Sequence, residues 1–250
     1  MTTRRAIVTG ASSGIGAATA IRLAGEGYSV WLTFSTSEDA ARTVATECEA
    51  LGSPDVRVST LDLRSSDSID ALIAEVAATW GDLHVLVNNG GICPYVGFDD
   101  IGIEEWDAVM ETNARGTFLL SRASLALLRA AAGSDRAIIN ISSIAGQVGG
   151  VTTAMHYAAS KGAILAITRT FARHLAGERI RVNAVAPGPI TSVITDQLSH
   201  ADHSSLSDKI PLGRFGTPAE GAWIIASLAS PRASFVTGAT YDVNGGVRIG

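Results

Sequence analysis

The chain has 250 residues, 46% hydrophobic and 17% charged, with 26 glycines, enough apolar material for a large core and too little polarity for disorder. Its formal net charge of -5, without a run of Lys or Arg, argues against nucleic acid or an anionic membrane as the main partner. Cys48 and Cys93 lack metal-type spacing and a disulfide framework, and MTTRRAIVTG opens no signal-peptide core, so a cytoplasmic protein without a metal is expected.

In chain order, Arg5–Thr9 reads as a strand, Gly14–Gly25 as a helix closed by glycine, and Ser29–Phe34 as the second strand. A helix over about 37–51 follows. Val56–Leu61, Leu83–Asn88 and Arg136–Ser142 repeat the strand pattern, with helices at about 66–80 and 103–132 between them. A further helix carries Tyr157. Ile180–Ala186 is a sixth strand, Ala219–Ala229 the last helix, and Thr240–Val243 a closing strand. Strands this apolar on both faces need helices above and below. The pattern predicts an α/β Rossmann-type fold, one domain over 1–250, with a doubly wound parallel sheet of about seven strands. The polar segment 189–216 breaks the rhythm. Its apolar points Val193, Ile194, Leu198 and Leu206 predict a partly helical substrate lid.

The first strand empties into Thr9-Gly10-Ala11-Ser12-Ser13-Gly14-Ile15-Gly16, and a helix starts at once. Gly10 permits the tight turn, Gly14 lets backbone approach a diphosphate, and Gly16 lets helix meet strand. Free N–H groups and the helix dipole favour an anion there, so Gly10, Ser12, Ser13, Gly14, Ile15 and Gly16 are candidate cofactor-binding residues. Where NAD readers place an acid at the end of the second strand, this chain has Phe34, Ser35 and Thr36. No carboxylate repels a 2′-phosphate there and hydroxyls can donate to it. NADP(H) is favoured, with NAD(H) left open because no Arg or Lys clamps the site.

Tyr157 and Lys161 in HYAASKGAILAITRTFARHL are four apart, which stacks both side chains on one helix face. A phenol is a poor acid–base group at neutral pH, and an ammonium beside it favours the phenolate. The pair reads as a proton donor with its tuner. On the same helix Ala159, Ala163, Ala166 and Thr170 form a stripe of small side chains, while Ile164, Ile167, Phe171 and Leu175 form a bulky face suited to the core. His156 reads as an exposed helix-start residue. Ile144, Gln147, Val151, Met155, His156 and the lid offer a mostly apolar set of walls near the chemistry, with His156 as a residue that could alternatively touch substrate.

With T-G-x-x-x-G-x-G and Y-x-x-x-K in place, the chain resembles the short-chain dehydrogenase/reductase family over essentially its whole length. Within it the chain is most similar to the 3-oxoacyl-(acyl carrier) reductase-like group. Asn88-Asn89-Gly90-Gly91 after the fourth strand, Asn113, Ile141-Ser142-Ser143, Pro187-Gly188 with Thr191, and Asp242-Val243-Asn244-Gly245-Gly246 carry the likeness further. The family's usual N-N-A-G reads N-N-G-G here, and the spacing from Ser143 to Tyr157 is one residue longer than expected. The resemblance implies a ketone–secondary alcohol oxidoreductase with Asn113, Ser143, Tyr157 and Lys161 as catalytic residues. Tyr157 would exchange the proton and Ser143 would bind the carbonyl oxygen, with Ser142 as the alternative serine. Lys161 would lower the tyrosine pKa and bind the nicotinamide ribose, and Asn113 would hold a relay water. Asp62 and Leu63 would meet the adenine. Asn89, Gly90 and Gly91 would line the adenosine ribose, and Pro187, Gly188, Ile190 and Thr191 the nicotinamide carboxamide. The partner implied is a small carbonyl or alcohol substrate, and the small-residue stripe would join a two-fold interface within a homotetramer or homodimer. An NAD-dependent alcohol or sugar dehydrogenase is the alternative within the family, and a non-catalytic dinucleotide sensor the alternative outside it.

Overall fold

Short, nearly continuous runs of Val, Ile, Leu and Ala become central strands buried on both faces, which a parallel sheet covered by helices on each side accommodates. A computed structural model of the chain describes residues 3–133, 136–150, 153–191 and 207–249. Seven parallel strands, β1 (Arg5–Val8), β2 (Ser29–Phe34), β3 (Val56–Thr60), β4 (Val85–Asn88), β5 (Arg136–Ile141), β6 (Ile180–Pro187) and β7 (Thr240–Val243), lie in the order 3-2-1-4-5-6-7. The order reverses between β1 and β4, and a crevice for ligands opens at the C-terminal ends of strands at such a switch point. The glycine loop after β1 and the Asn88–Gly91 turn after β4 therefore face each other there.

Alternate residues feed two cores. Val8, Leu32, Val87, Ile139 and Val185 meet Leu23 of α1 (Gly14–Gly25) and Ile225 of the last helix, α9 (Pro218–Ala229). Ile7, Trp31, Leu86, Ile138 and Val182 meet the opposite layer, including Leu72 and Val76 of α3 (Ser66–Thr79). Helix α2 (Glu38–Ala50) buries Ala41, Val44 and Cys48. A polar ladder crosses this second layer: Asn88 Nδ2 donates to Asn140 Oδ1 (2.8 Å) and to Ser121 Oγ (2.9 Å), and Asn140 Nδ2 donates to Thr168 Oγ1 (2.9 Å). It pins β4 and β5 to α8 (Met155–Leu175), which follows the one-turn α7 (Ala145–Val148) and carries Tyr157 and Lys161. Buried groups of this kind fix register because any slip leaves them unpaired.

The stretch 103–132 is not one regular helix. It comprises α4 (Ile103–Val109), a π-helical turn (Met110–Arg115), α5 (Gly116–Ala123) and α6 (Leu125–Ala130). Close packing accounts for the departure: a Cβ on Gly116 would stand 2.7 Å from Leu63 O. The Thr112 and Thr117 hydroxyls also donate back to the carbonyls of Ala108 and Asn113, a bond that bends helices. On α8 the core face is Ile164, Leu165, Thr168, Ala172 and Leu175, while Ile167 and Phe171 are half-buried. Of the expected lid, 192–206 lies outside the described residues, as does Val151. From 207 onward Ile210 and Phe215 are buried, and Leu212 N donates to Gly245 O. Among the described residues no helix is long and apolar enough to cross a membrane.

Candidate active site

The glycine loop is locked from beneath. Thr9 Oγ1 accepts from Asn89 N (2.9 Å) and Gly90 N (2.8 Å), while Asn89 Nδ2 donates to the carbonyls of Thr9 (2.9 Å) and Gly10 (3.1 Å). Gly10 (φ 61) and Gly14 (φ 55) occupy the left-handed region that glycine favours. A Cβ on Gly16 would stand 2.2 Å from Gly10 O. At the start of α1, Ser13 makes no side-chain capping bond and the first turn holds no acid. The open N–H groups thus keep their positive end for a ligand, and a dinucleotide diphosphate fits a cradle so built. Phe34, Ser35 and Thr36 close β2 at the same edge, the last two exposed. Asp62 sits past β3 with its Oδ1 accepting from Arg64 N (2.9 Å), and the buried Leu63 packs under Gly90. Gly90 stands where the related motif carries Ala; a Cβ there would come within 3.0 Å of Leu63 Cδ1, a tight fit that glycine relieves.

The chemistry-bearing side chains gather where β4, β5 and α8 meet. Ser142 and Ser143 follow β5 on opposite sides. Ser142 Oγ donates to Lys161 O (2.8 Å), a backbone anchor. Ser143 Oγ accepts from Ala145 N (3.1 Å) and stands near enough to the Tyr157 hydroxyl to favour its phenolate. Lys161 Nζ donates to Ile141 O (2.8 Å) and lies 5.6 Å from the Tyr157 ring centroid. Asn113, fully buried in the π turn, accepts from Ile92 N (2.8 Å) and donates to Ile92 O (2.9 Å) and Ser160 Oγ (3.0 Å). Gly91 lies against this cluster, since a Cβ there would stand 2.8 Å from Asn113 Oδ1 and 3.7 Å from Lys161 Nζ. Beyond β6, Ile144 N donates to Pro187 O, and a Cβ on Gly188 would stand 2.7 Å from Asn244 Cβ. Ile190 is buried against Gly216 and Gly221, and Thr191 N donates to Gly216 O.

Electrostatics corrects one expectation. Burial pushes the Tyr157 phenol well above the usual tyrosine range, Cys93 pushes the same way, and Ser143 opposes them. Lys161 is itself buried, with its Nζ donating to Ile141 O, and burial is the largest influence on the phenol. Burial lowers Lys161 to about 8, with Cys93 opposing. Its depressed folded pKa, against 10.5 unfolded, means the unfolded chain binds more protons between the two values, so stability rises with pH across that window. The wild type's deficit against Lys161→Met should accordingly shrink by about 3 kcal/mol from pH 8 to pH 10.5 in paired denaturant titrations. A flat difference would remove burial as the cause.

Cys93 and Tyr95 couple electrostatically to Tyr157, and Cys93 is pushed up to about 11 by burial, with Lys161 opposing. Both stand at the site without belonging to any motif of the chain, as does Ser160. Ser160 was legible as the residue one turn after Tyr157; nothing local marks Cys93. Among the described residues no group of three or more His, Cys, Asp or Glu could hold a metal.

A switch-point crevice with a glycine-lined anion cradle beside a serine, tyrosine and lysine defines a dinucleotide-dependent oxidoreductase. The chain belongs to the short-chain dehydrogenase/reductase family. Residues 10–248 match the family described as Enoyl-(Acyl carrier protein) reductase. The chain is 41% identical over 246 residues to the 3-oxoacyl-[acyl-carrier-protein] reductase FabG of Staphylococcus aureus, covering 98% of each. It is 38% identical over 245 residues to FabG of Thermotoga maritima, covering 97% of each. Among solved structures, the Pseudomonas aeruginosa RhlG/NADP active-site complex superposes with a TM-score of 0.92 at 32% identity, covering 98% of this chain and 96% of that one.

Proposed function

We propose that the protein reduces a 3-oxoacyl-type ketone to the secondary alcohol with NADPH. The single observation that carries this reading is the meeting of the Tyr157 hydroxyl with Ser143 at the crevice, one helical turn from Lys161. When bound, NADPH supplies the hydride for the carbonyl carbon. Tyr157 holds the proton that the carbonyl oxygen takes up, and burial keeps that proton on the phenol until an acceptor arrives. Ser143 donates to the same oxygen and fixes its place, as preorganised donors do for developing negative charge. Lys161 stands ready to bind ribose hydroxyls. Asn113 holds the Ile92 backbone and Ser160 of α8 together beside Lys161.

Gly10, Ser12, Ser13, Gly14, Ile15 and Gly16 would hold the diphosphate, and Asp62, Leu63, Asn89, Gly90 and Gly91 the adenosine half. Pro187, Gly188, Ile190 and Thr191 would hold the carboxamide end. The absence of a carboxylate at Phe34-Ser35-Thr36 favours NADPH over NADH, and the family's carrier-linked reductases favour an acyl thioester or ester ketone. Ala159, Ala166 and Thr170 are exposed on α8 rather than covered by α5, which supports a homo-oligomeric contact there.

A panel of 3-oxoacyl thioesters, ethyl 3-oxobutanoate, simple ketones and sugars, each run with NADPH and NADH at 340 nm, tests the reading. The 3-oxo compounds with NADPH should give the highest kcat/KM. A preference for sugars with NADH would replace this function by the alternative.

A further inference from the structure

The residue immediately before Tyr157 is not at the surface. His156, expected exposed, is fully buried, and neither ring nitrogen has a hydrogen-bond partner. Two consecutive residues of α4 face it. Trp106 stacks on the imidazole with centroids 6.4 Å apart and planes 21° apart, and Glu105 Oε1 stands 3.5 Å from Nε2. Glu105 is the acid that the structure brings within ion-pair reach of His156 among the described residues. A gap of 3.5 Å exceeds a proper N–H···O bond by roughly half an ångström, and a buried donor left unmade is costly. A small movement of the half-exposed Glu105 side chain closes it.

The position of this pair gives it a use. Helix α4 runs directly into the π turn, whose Asn113 donates to Ser160, and Ser160 Oγ in turn donates to Tyr157 O. The α4–π segment thus reaches α8 at 156 through Glu105 and at 160 through Asn113, on either side of Tyr157. We infer that Glu105 and His156 form a latch between α4 and the first turn of α8 that sets where the Tyr157 hydroxyl points. His156 is a positioning residue: its ring is closed off from the crevice, and it acts through its neighbour. The inference rests on Tyr157 being the proton donor proposed above.

The full-length protein tests it with Glu105→Ala, His156→Phe, His156→Gln and the double variant Glu105→Ala/His156→Phe. Glu104→Ala serves as control, because it removes a neighbouring first-turn acid of α4 without touching His156. His156→Phe keeps a ring for Trp106 but has no donor, whereas the His156→Gln amide can still donate to Glu105. With ethyl 3-oxobutanoate and NADPH, kcat should fall about tenfold in Glu105→Ala and His156→Phe, as misplaced catalytic groups do. His156→Gln should recover to within about threefold of wild type, the double variant should be no slower than His156→Phe, and KM for NADPH should hold within about twofold. The imidazole ¹⁵N signals of His156 report the contact without reference to turnover and should move in Glu105→Ala but not in Glu104→Ala.

An immobile ¹⁵N signal overturns the latch whatever the rates do. A Glu105→Ala rate equal to that of Glu104→Ala, or a His156→Gln as slow as His156→Phe, overturns its role in positioning. Failure of the Tyr157 reading shows separately, as full turnover by Tyr157→Phe alongside a ¹⁵N shift that still responds to Glu105.

Discussion

Tyr157→Phe should lower kcat by about a thousandfold while the Kd for NADPH stays within about threefold. Phenylalanine keeps the ring, its volume and its place 5.6 Å from Lys161 Nζ, so the cofactor side of the crevice loses little. What goes is the hydroxyl beside Ser143 and the proton it carries. Ser143 retains its bond from Ala145 N and can still donate to a carbonyl, which leaves a residual rate from binding and orientation. Disappearance of NADPH absorbance gives kcat, and nucleotide fluorescence on titration gives Kd. A variant that keeps a tenth of the wild-type rate would take Tyr157 out of the mechanism, and proton delivery from solvent would replace it.

That the expectation can be this specific reflects which features of the chain are local. The glycine loop, the Y-x-x-x-K pair and the strand boundaries depend on short-range rules of turn, period and spacing. Helix Gly14–Gly25 and strands Ser29–Phe34 and Thr240–Val243 fall where those rules place them. The π turn at Met110–Arg115 has no such signature: nothing in METNAR distinguishes it from an α-helix. It arises from what Asn113 and Gly116 touch, namely Ile92, Ser160 and Leu63, distant in sequence.

His156 misled for the same reason. A polar residue at a helix start is usually solvated, and only the arrival of Trp106 and Glu105 across 50 positions buries it. The direction of the Tyr157 shift was likewise illegible, because spacing puts a lysine nearby but does not say that both groups are desolvated. A neighbouring cation favours the phenolate, but burial disfavours the charged form, and for Tyr157 burial is the larger effect.

Gly16→Ala should cost about a hundredfold in NADPH affinity and about 1–3 kcal/mol in stability. The added Cβ would stand 2.2 Å from Gly10 O, 2.9 Å from Gly10 C and 2.4 Å from Asn89 Nδ2. Two of these are backbone atoms, so no rotamer change relieves the overlap. Either α1 backs away from the sheet or the Gly10 peptide moves. Moving Gly10 breaks its bond from Asn89 and disturbs a residue already committed to φ 61. Both routes displace the N–H groups at the start of α1 from the diphosphate, and the loss of two charge-assisted bonds accounts for the hundredfold.

Gly25→Ala at the far end of the same helix separates this effect from a general intolerance of α1. There the new methyl meets only Leu51 Cδ1 at 3.8 Å, an ordinary contact, and removal of a helical glycine should leave stability equal or higher by about 0.5–1 kcal/mol. Thermal melts with and without NADPH check both. Gly16→Ala should lose most of the ligand-induced rise in Tm, because that rise follows RT ln(1 + [L]/Kd) and a hundredfold weaker Kd erases about 2.7 kcal/mol of it at saturation. Gly25→Ala should keep it whole. Equal shifts in the two variants would mean that the glycine loop does not hold the diphosphate.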